Sequence, residues 1–282
     1  MKQGYTHISA IIDRSGSMST IKTDTEGGFN TFLKEQQELP GEATISLTTF
    51  DDRIELDYGM IPIKDAPIFS LQPRGMTAML DAIGVTIKNL GTKLAAMDEA
   101  NRPEKVLVVI LTDGQENSSR EYTYQTIKAM ITEQTEVWKW EFLFLGANQD
   151  AVLAGEHIGI SAGKSMSYAP NSASVGNTFK SISKSSSAYR MSARGISAPD
   201  FNAQDRVDSM LPDPTTNVSA GVPKVVQFKV PAGQVAPMQS LIDAQKDDPG
   251  ITVVTNYPIG FNQMDPVVPA TVFPPPSLDP HK

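Results

Sequence analysis

Cysteine is absent from this chain, and aromatic residues make up only 7% of its 282 residues. Without cysteine the protein has no disulfides, no thiolate metal ligands and no cysteine nucleophile, a composition that fits a reducing compartment. Basic residues are also scarce, 24 against 32 acidic ones. The resulting net charge of -8 argues against nucleic acid as the main partner, because phosphate binding needs a basic surface.

Long hydrophobic runs are lacking as well. No stretch approaches the roughly 18 apolar residues of a membrane span, and residues 1–5 lack the apolar segment of a secretory signal. We therefore predict no membrane partner and a cytoplasmic location. Hydrophobic residues still make up 40% of the chain. That is enough for a packed core, in one domain with an appendage or in two domains.

Strand and helix patterns alternate from the amino terminus to about residue 192. The hydrophobic periodicity predicts strands near 5–12, 43–50, 54–63, 105–112, 140–146 and 165–168, and helices near 20–38, 77–98, 118–134, 150–158 and 172–192. The second and third strands form a hairpin, so one edge strand is antiparallel. Strands that alternate with helices predict an α/β fold with a doubly wound, mostly parallel central sheet.

The composition changes in the last third of the chain. Fourteen of the 20 prolines lie at or beyond Pro199. We predict a domain at 1–192, a linker at 193–223, and a small appendage with an extended proline-rich tail at 224–282. In the appendage, strands at 224–230 and 251–257 flank a short helix at 238–244.

Polar side chains follow the buried strands at the point where each strand ends. The carboxyl ends of parallel strands meet at one edge of a sheet, so these side chains reach a common crevice. Carboxylate and hydroxyl oxygens are ligands for small hard cations. The sequence therefore predicts a site for Mg²⁺, with Mn²⁺ or Ca²⁺ as alternatives. Its predicted ligands are Asp13, Ser15, Ser17 and Asp113 at these strand ends. Thr77, from the loop before a predicted helix, is added as the fifth ligand by the family resemblance described next.

The same residues carry a family resemblance. The order Asp-x-Ser-x-Ser, a distant threonine and a distant aspartate resembles the metal-ion-dependent adhesion site (MIDAS) of von Willebrand factor type A (vWA) domains. All five positions of that pattern are filled here. The stretches Gly27–Asn30, Arg102–Lys105 and Phe144–Asp150 are similar to compact vWA proteins of bacteria and bacteriophages. The resemblance covers about residues 1–192.

The resemblance implies a Rossmann-like fold and a division of labour at the metal. Ser15 and Ser17 would bind the ion directly, and Asp13 and Asp113 through water. Thr77 would bind it once an acidic ligand arrives. Neutral ligands leave the cation electrophilic, so an Asp or Glu of a partner protein completes its shell. Intracellular relatives act in multiprotein assemblies, in several cases beside MoxR-type AAA+ ATPases, and the resemblance thus implies a non-enzymatic binding module.

Other readings stay open at this stage. The Asp13 loop can be a polar turn that caps the next helix. Asp13 can also be the nucleophile of a dehalogenase-type phosphatase, although that chemistry wants a second acid where Ser15 stands. A Ser-His-Asp hydrolase has little support, because no histidine accompanies a recognisable serine elbow. A further alternative is a structural or decoration component of a phage virion, whose tail binds neighbouring subunits.

Several charged residues close to the predicted site have no assigned role. We expect Arg14 to face solvent, where it could pair with a ligand carboxylate. Asp51-Asp52 and Glu116-Asn117 lie on loops near the same rim. They could hold a second cation or select against acidic partners, but solvated turns are the simpler expectation. The partner's identity and the oligomeric state lie beyond the sequence.

Overall fold

The computed structural model describes residues 1–212, which form a sheet with helices on both faces. The strands are β1 (Lys2–Asp13), β2 (Glu42–Phe50), β3 (Ile54–Pro62), β4 (Pro103–Thr112), β5 (Glu141–Ala147) and β6 (Ser165–Tyr168). The helices are α1 (Lys22–Glu38), α2 (Met79–Ala96), α3 (Tyr124–Glu136), α4 (Ala151–His157), α5 (Ser172–Met191) and α6 (Ala203–Asp208).

The six strands lie in the order β3-β2-β1-β4-β5-β6. Strands β1, β2, β4, β5 and β6 run parallel, and β3 pairs antiparallel with β2 at one edge. Such a sheet reverses its order of winding between two central strands, here β1 and β4. The prediction of a doubly wound, mostly parallel sheet with an antiparallel edge hairpin is confirmed.

Each face of the sheet has its own hydrophobic core, because successive side chains of a strand point to opposite faces. On one face Ile8 and Ile12 of β1 pack with residues of α1 and α5 such as Phe32 and Ile182. On the other face Ile11 packs with residues of α2 and α3. Central strands that are apolar on both sides explain the continuous hydrophobic runs of the sequence.

The start of α3 differs from the prediction. The segment Ser118 to Glu121 has the spacing of a capping box, which places the start of the predicted helix near residue 118. Instead α3 begins at Tyr124 with Thr123 as its N-cap, whose hydroxyl accepts from Thr126 N at 3.2 Å. Residues 118–122 are held in a loop instead. The Asp81 carboxylate in the first turn of α2 accepts from the backbone amides of residues 120, 121 and 122 at 2.7, 3.0 and 2.8 Å. A tertiary contact therefore overrides the local capping signal.

The chain beyond residue 192 continues along the domain up to residue 212. Phe201 is buried in the core, and Arg206 donates to the Ser165 carbonyl at 2.8 Å. The Ala169 amide donates to the Ser209 carbonyl at 2.9 Å. This part of the predicted linker is thus folded, whereas the predicted appendage and tail at 224–282 lie outside the described residues. Within residues 1–212 no helix has the length and apolarity that crossing a membrane requires.

Candidate metal centre

The five predicted ligands come from three loops at the carboxyl ends of the strands. Asp13 is the last residue of β1, and Ser15 and Ser17 follow it directly. Asp113 comes next after the end of β4, the parallel neighbour of β1. Thr77 lies two residues before the start of α2. The loops therefore meet at the crevice where the winding of the sheet reverses, the usual ligand position in such folds.

Asp13 is the most deeply placed group of the site. Its side chain is fully buried. One carboxylate oxygen accepts from the Ser15 amide at 2.6 Å, and the other accepts from the Thr112 hydroxyl at 2.6 Å. Burial raises the pKa of Asp13 from 3.8 to about 6, although both hydrogen bonds lower it. Two hydrogen bonds thus fix the carboxylate in position, but no positively charged side chain among residues 1–212 pairs with it.

Hydrogen bonds join the serines to the second carboxylate. The hydroxyls of Ser15 and Ser17 lie 3.0 Å apart, and the Ser17 hydroxyl donates to Asp113 Oδ1 at 2.6 Å. Asp113 is 1% exposed, and burial raises its pKa above the ordinary value. The loop is anchored by Met18, which is fully buried on the short 3₁₀ turn that follows Ser15.

The hydroxyl of Thr77 lies close to that of Ser17, and both face the backbone of Gly114. A carbon atom added at the Cβ position of Gly114 would lie 3.5 Å from Thr77 Oγ1 and 3.6 Å from Ser17 Oγ. Both hydroxyls therefore border the same small space. The structure brings the five side chains to one place, while their role as metal ligands stays a prediction.

The donor chemistry of this cluster suits a hard divalent cation. Two carboxylates and three hydroxyls converge, with neither sulfur nor imidazole among them. Neither Asp13 nor Asp113 has an ion-pair partner among residues 1–212, since the adjacent Arg14 pairs with Asp51 and Glu55. No group of three or more His, Cys, Asp or Glu side chains in that range could hold a metal. A metal ion at this rim would therefore need hydroxyl oxygens as ligands beside the two carboxylates.

Three side chains donate hydrogen bonds to the backbone of the Asp113 loop, and the sequence did not predict these contacts. The Tyr168 hydroxyl donates to the Thr112 carbonyl at 3.1 Å. The Asn148 and Gln149 side chains donate to the carbonyls of Asp113 and Gly114 at 2.9 and 3.0 Å. Asn148 and Gln149 belong to a stretch that carries the family resemblance, but only the fold shows what they contact.

Arg14 is buried, which contradicts the expectation that it faces solvent. Arg14 is 7% exposed. Its guanidinium donates to Asp51 at 3.0 Å and to Glu55 at 2.5 Å, both on the β2–β3 hairpin. Asp51 is fully buried, so the solvated turn expected there is also wrong for this residue. Arg14 is therefore held in ion pairs with the buried Asp51 and the exposed Glu55.

Glu116 and Asn117 tie the loop after Asp113 to the start of α2. The Glu116 carboxylate accepts from Leu80 N at 2.9 Å, and the Asn117 side chain accepts from Thr77 N at 2.9 Å. Asn117 N in turn donates to the Thr77 carbonyl at 3.0 Å. Because these amides already have partners, the amino end of α2 offers fewer donors to a bound anion than a free helix terminus would.

His7 does not support the alternative of a Ser-His-Asp hydrolase. His7 is fully buried in β1, where its ring nitrogens contact Thr44 Oγ1 at 3.0 Å and Ser46 Oγ at 3.2 Å. Burial lowers the pKa of His7 to about 3, so the ring is neutral at physiological pH. It belongs to a buried hydroxyl network and not to a Ser-His-Asp triad.

Solved structures that this chain is similar to include proximal thread matrix protein 1 of the mussel byssus, at 14% identity and a TM-score of 0.47 over 65% of this chain and 46% of that one. A von Willebrand factor type A protein from Catenulispora acidiphila aligns at 15% identity and a TM-score of 0.44, over 65% and 43% of the two chains. The ArnB paralog VWA2 from Sulfolobus acidocaldarius aligns at 19% and 0.42, over 64% and 44%.

This chain spans less than half the length of each of these three proteins. One structure of the mussel protein has a zinc-occupied MIDAS motif. No protein-family model and no curated protein matches this chain. The assignment of the site therefore depends on the chain's own residues.

Proposed function

We propose that this protein is a non-enzymatic, Mg²⁺-dependent protein-binding module of the vWA type. Ser15, Ser17 and Thr77 would hold the ion with their hydroxyls, and Asp13 and Asp113 would balance its charge. When bound, the ion supplies an electrophilic centre that accepts a carboxylate from a partner. The partner would offer an aspartate or glutamate within a cytoplasmic multiprotein assembly, for which a MoxR-type AAA+ ATPase is a candidate.

One observation supports this proposal above the others. Two buried carboxylates lie in one hydrogen-bonded cluster with two serine hydroxyls, and no described side chain neutralises them. Burial without a counter-ion is costly for a carboxylate, which the raised pKa values of Asp13 and Asp113 reflect. A divalent cation would remove that cost. A polar turn that only caps a helix would not need two such groups.

The proposal is tested by capture of partners on the full-length chain in Mg²⁺ and in EDTA. We expect a partner retained in Mg²⁺ to be lost in EDTA and in the Asp13→Ala and Thr77→Ala variants. Asp98→Ala, which removes an exposed carboxylate at the opposite end of the sheet, is the matched control and should retain the partner. Retention in EDTA and in Asp13→Ala would contradict a metal-mediated contact.

The same experiment separates the proposal from an assembly role of the carboxyl-terminal region. Because residues 193–212 pack on the domain, a truncation should follow residue 212. Loss of the partner on that truncation, with Asp13→Ala silent, would favour the structural alternative. Turnover of a phosphate ester that is lost in Asp13→Asn would favour the enzymatic one.

A further inference from the structure

We infer that Asp51 is a positioning residue of the metal centre, which fixes the separation between Thr77 and the two serines. This inference rests on the proposed metal-binding function and deepens it. Asp51 lies in the turn between β2 and β3, outside the five predicted ligands. It joins the loop after β1 to the loop before α2, the two loops that supply the hydroxyl ligands.

The Asp51 side chain bridges two arginines from these two loops. A single carboxylate oxygen, Oδ2, accepts from Arg14 Nε at 3.0 Å and from Arg74 Nε at 2.7 Å. The other oxygen accepts from the Arg53 amide at 2.6 Å, which holds the turn itself. Asp51 is fully buried, and charge-assisted hydrogen bonds of this kind are about twice as strong as neutral ones. The bridge therefore constrains both arginines.

Each arginine is close in sequence to a predicted ligand. Arg14 stands between Asp13 and Ser15, and Arg74 precedes Thr77 by three residues. A change at the carboxylate of Asp51 would thus be transmitted over one to three residues on either side.

Backbone hydrogen bonds bring the same loops together. Arg14 N donates to the Phe50 carbonyl at 2.7 Å, and Arg74 N donates to the Arg14 carbonyl at 2.8 Å. Ala78 N, next to Thr77, donates to the carbonyl of Asp51 itself at 2.8 Å. Asp51 therefore holds the threonine loop through both its side chain and its backbone.

Gly75 shows how closely these loops approach one another. It has a φ of +68°, and a Cβ at this position would lie 2.2 Å from Asp52 Oδ1 and 3.2 Å from Asp51 Cβ. Another residue would be strained at this φ, and its Cβ would crowd the Cβ of Asp51 in the facing turn. The Gly16 amide donates to the Gly75 carbonyl at 3.2 Å, so the serine loop touches the same point.

The inference is tested on the full-length chain with Mn²⁺ as the probe and acetate present as a carboxylate. Groups that orient metal ligands typically affect metal affinity by about 10- to 100-fold. We expect Asp51→Asn to weaken Mn²⁺ binding about 10-fold, measured by electron paramagnetic resonance. The matched control is Asp57→Asn, the same change on the same hairpin, where the carboxylate accepts hydrogen bonds from Thr49 and from no other residue in the described part of the chain. The control should leave Mn²⁺ affinity unchanged.

A double-mutant cycle separates positioning from general destabilisation. If Asp51 acts by placing Thr77, then Asp51→Asn should have little further effect in the Thr77→Ala background. Arg74→Ala, at a side chain that is 53% exposed, is a second variant that should fold and should weaken binding in the same direction. In the metal-free protein, amide exchange at Arg74 and Ala78 should quicken in Asp51→Asn about 10-fold and not in Asp57→Asn.

The outcomes distinguish this inference from the proposed function. Unchanged Mn²⁺ affinity in Asp51→Asn and Arg74→Ala would overturn the inference alone, because wild type still binds the ion. An equal loss with and without the Thr77 hydroxyl would also overturn it. Wild-type protein that binds no Mn²⁺ would overturn the proposed function, and the inference with it.

Discussion

Strand β4 has a buried ionisable side chain near each of its ends, and the two side chains differ in the partners that surround them. Near its start, Lys105 is 5% exposed, and immediately after its end Asp113 is 1% exposed. Burial shifts both pKa values toward the neutral form, lowering that of Lys105 and raising that of Asp113. The difference lies in the partners that each group finds.

Lys105 is fully supplied with acceptors by the end of α5. Its ammonium donates to the carbonyls of Tyr189 and Ser192 at 2.7 and 2.5 Å, to the Ser192 hydroxyl at 3.1 Å and to the Arg190 carbonyl at 3.3 Å. The final carbonyls of a helix are without intrahelical partners and carry partial negative charge. The lysine thus donates hydrogen bonds to the last carbonyls of the helix, and these carbonyls compensate the charge of the lysine.

Asp113 and Asp13 have no such set of oppositely charged partners within residues 1–212. Their hydrogen bonds come from hydroxyl and amide donors, and the guanidinium of Arg14, the residue next to Asp13, pairs with Asp51. A buried charge with all its partners stabilises the fold, whereas a buried carboxylate without a counter-ion among the described residues marks a candidate functional site. This contrast is what leads from the fold to the metal proposal.

The largest expected effect is at the lysine end of β4. Lys105→Ala should lower the free energy of unfolding by about 3 kcal/mol, because it leaves several buried carbonyls without a donor. Chemical denaturation measures this value. Lys93→Ala, at an exposed lysine on α2, should change stability by less than about 0.5 kcal/mol. Equal effects of the two substitutions would remove the structural half of the contrast.

At the carboxylate end of the site we expect a substitution to raise the free energy of unfolding of the metal-free protein. The folded-state pKa of Asp13 is about 6 against 3.8 for the ordinary group, so its contribution to stability is full below pH 4 and is lost as pH rises through 6. Asp13→Asn should therefore stabilise the metal-free protein at pH 7.5, by the order of 2 kcal/mol. The gain should vanish near pH 4.

Denaturation of both proteins in EDTA across this pH range checks the expectation. Added Mg²⁺ should stabilise wild type and leave Asp13→Asn unchanged, since the variant lacks one of the two carboxylates that balance the charge of the ion. A destabilised Asp13→Asn at pH 7.5 in EDTA would show that the buried charge is already compensated within the protein.

The smallest expected effect compares the ends of two helices. Helix α3 is capped by its own Thr123, whereas α2 depends on Glu116 of the site loop. Replacement of either by alanine should cost about 1 kcal/mol of unfolding free energy. Only Glu116→Ala should also weaken Mn²⁺ binding, because its loop adjoins Asp113 and holds the start of α2 near Thr77. Reduced Mn²⁺ affinity in Thr123→Ala as well would contradict this distinction.

Much of the sheet and the rim could be predicted because the signals are local. Apolar runs such as Val106–Leu111 mark central strands, and a polar residue at their ends lies at the rim by topology. Asp13 and Asp113 were located in this way. Thr77 needed the family pattern, since nothing in its own segment indicates that its loop returns to the serines.

The remaining contacts depend on pairings between distant segments. Arg14 is buried because the β2–β3 turn brings Asp51 next to the loop that follows β1, where the two side chains pair. The shift of α3 to residue 124 follows from the Asp81 carboxylate, which takes the amides of residues 120–122. In both cases an acidic side chain meets donors about 40 residues away, and neither hydrophobic periodicity nor capping patterns report such a distance.

The most direct measurement of the central claim is the anomalous signal of Mn²⁺ in crystals of the full-length protein grown with that ion. A peak about 2.1–2.2 Å from the hydroxyl oxygens of Ser15 and Ser17 is expected, near the 2.0–2.1 Å typical of Mg²⁺. The two aspartates should lie within one water of the peak, and Asp13→Ala crystals should lack it. A peak elsewhere, or none at this rim in saturating Mn²⁺, would contradict the account.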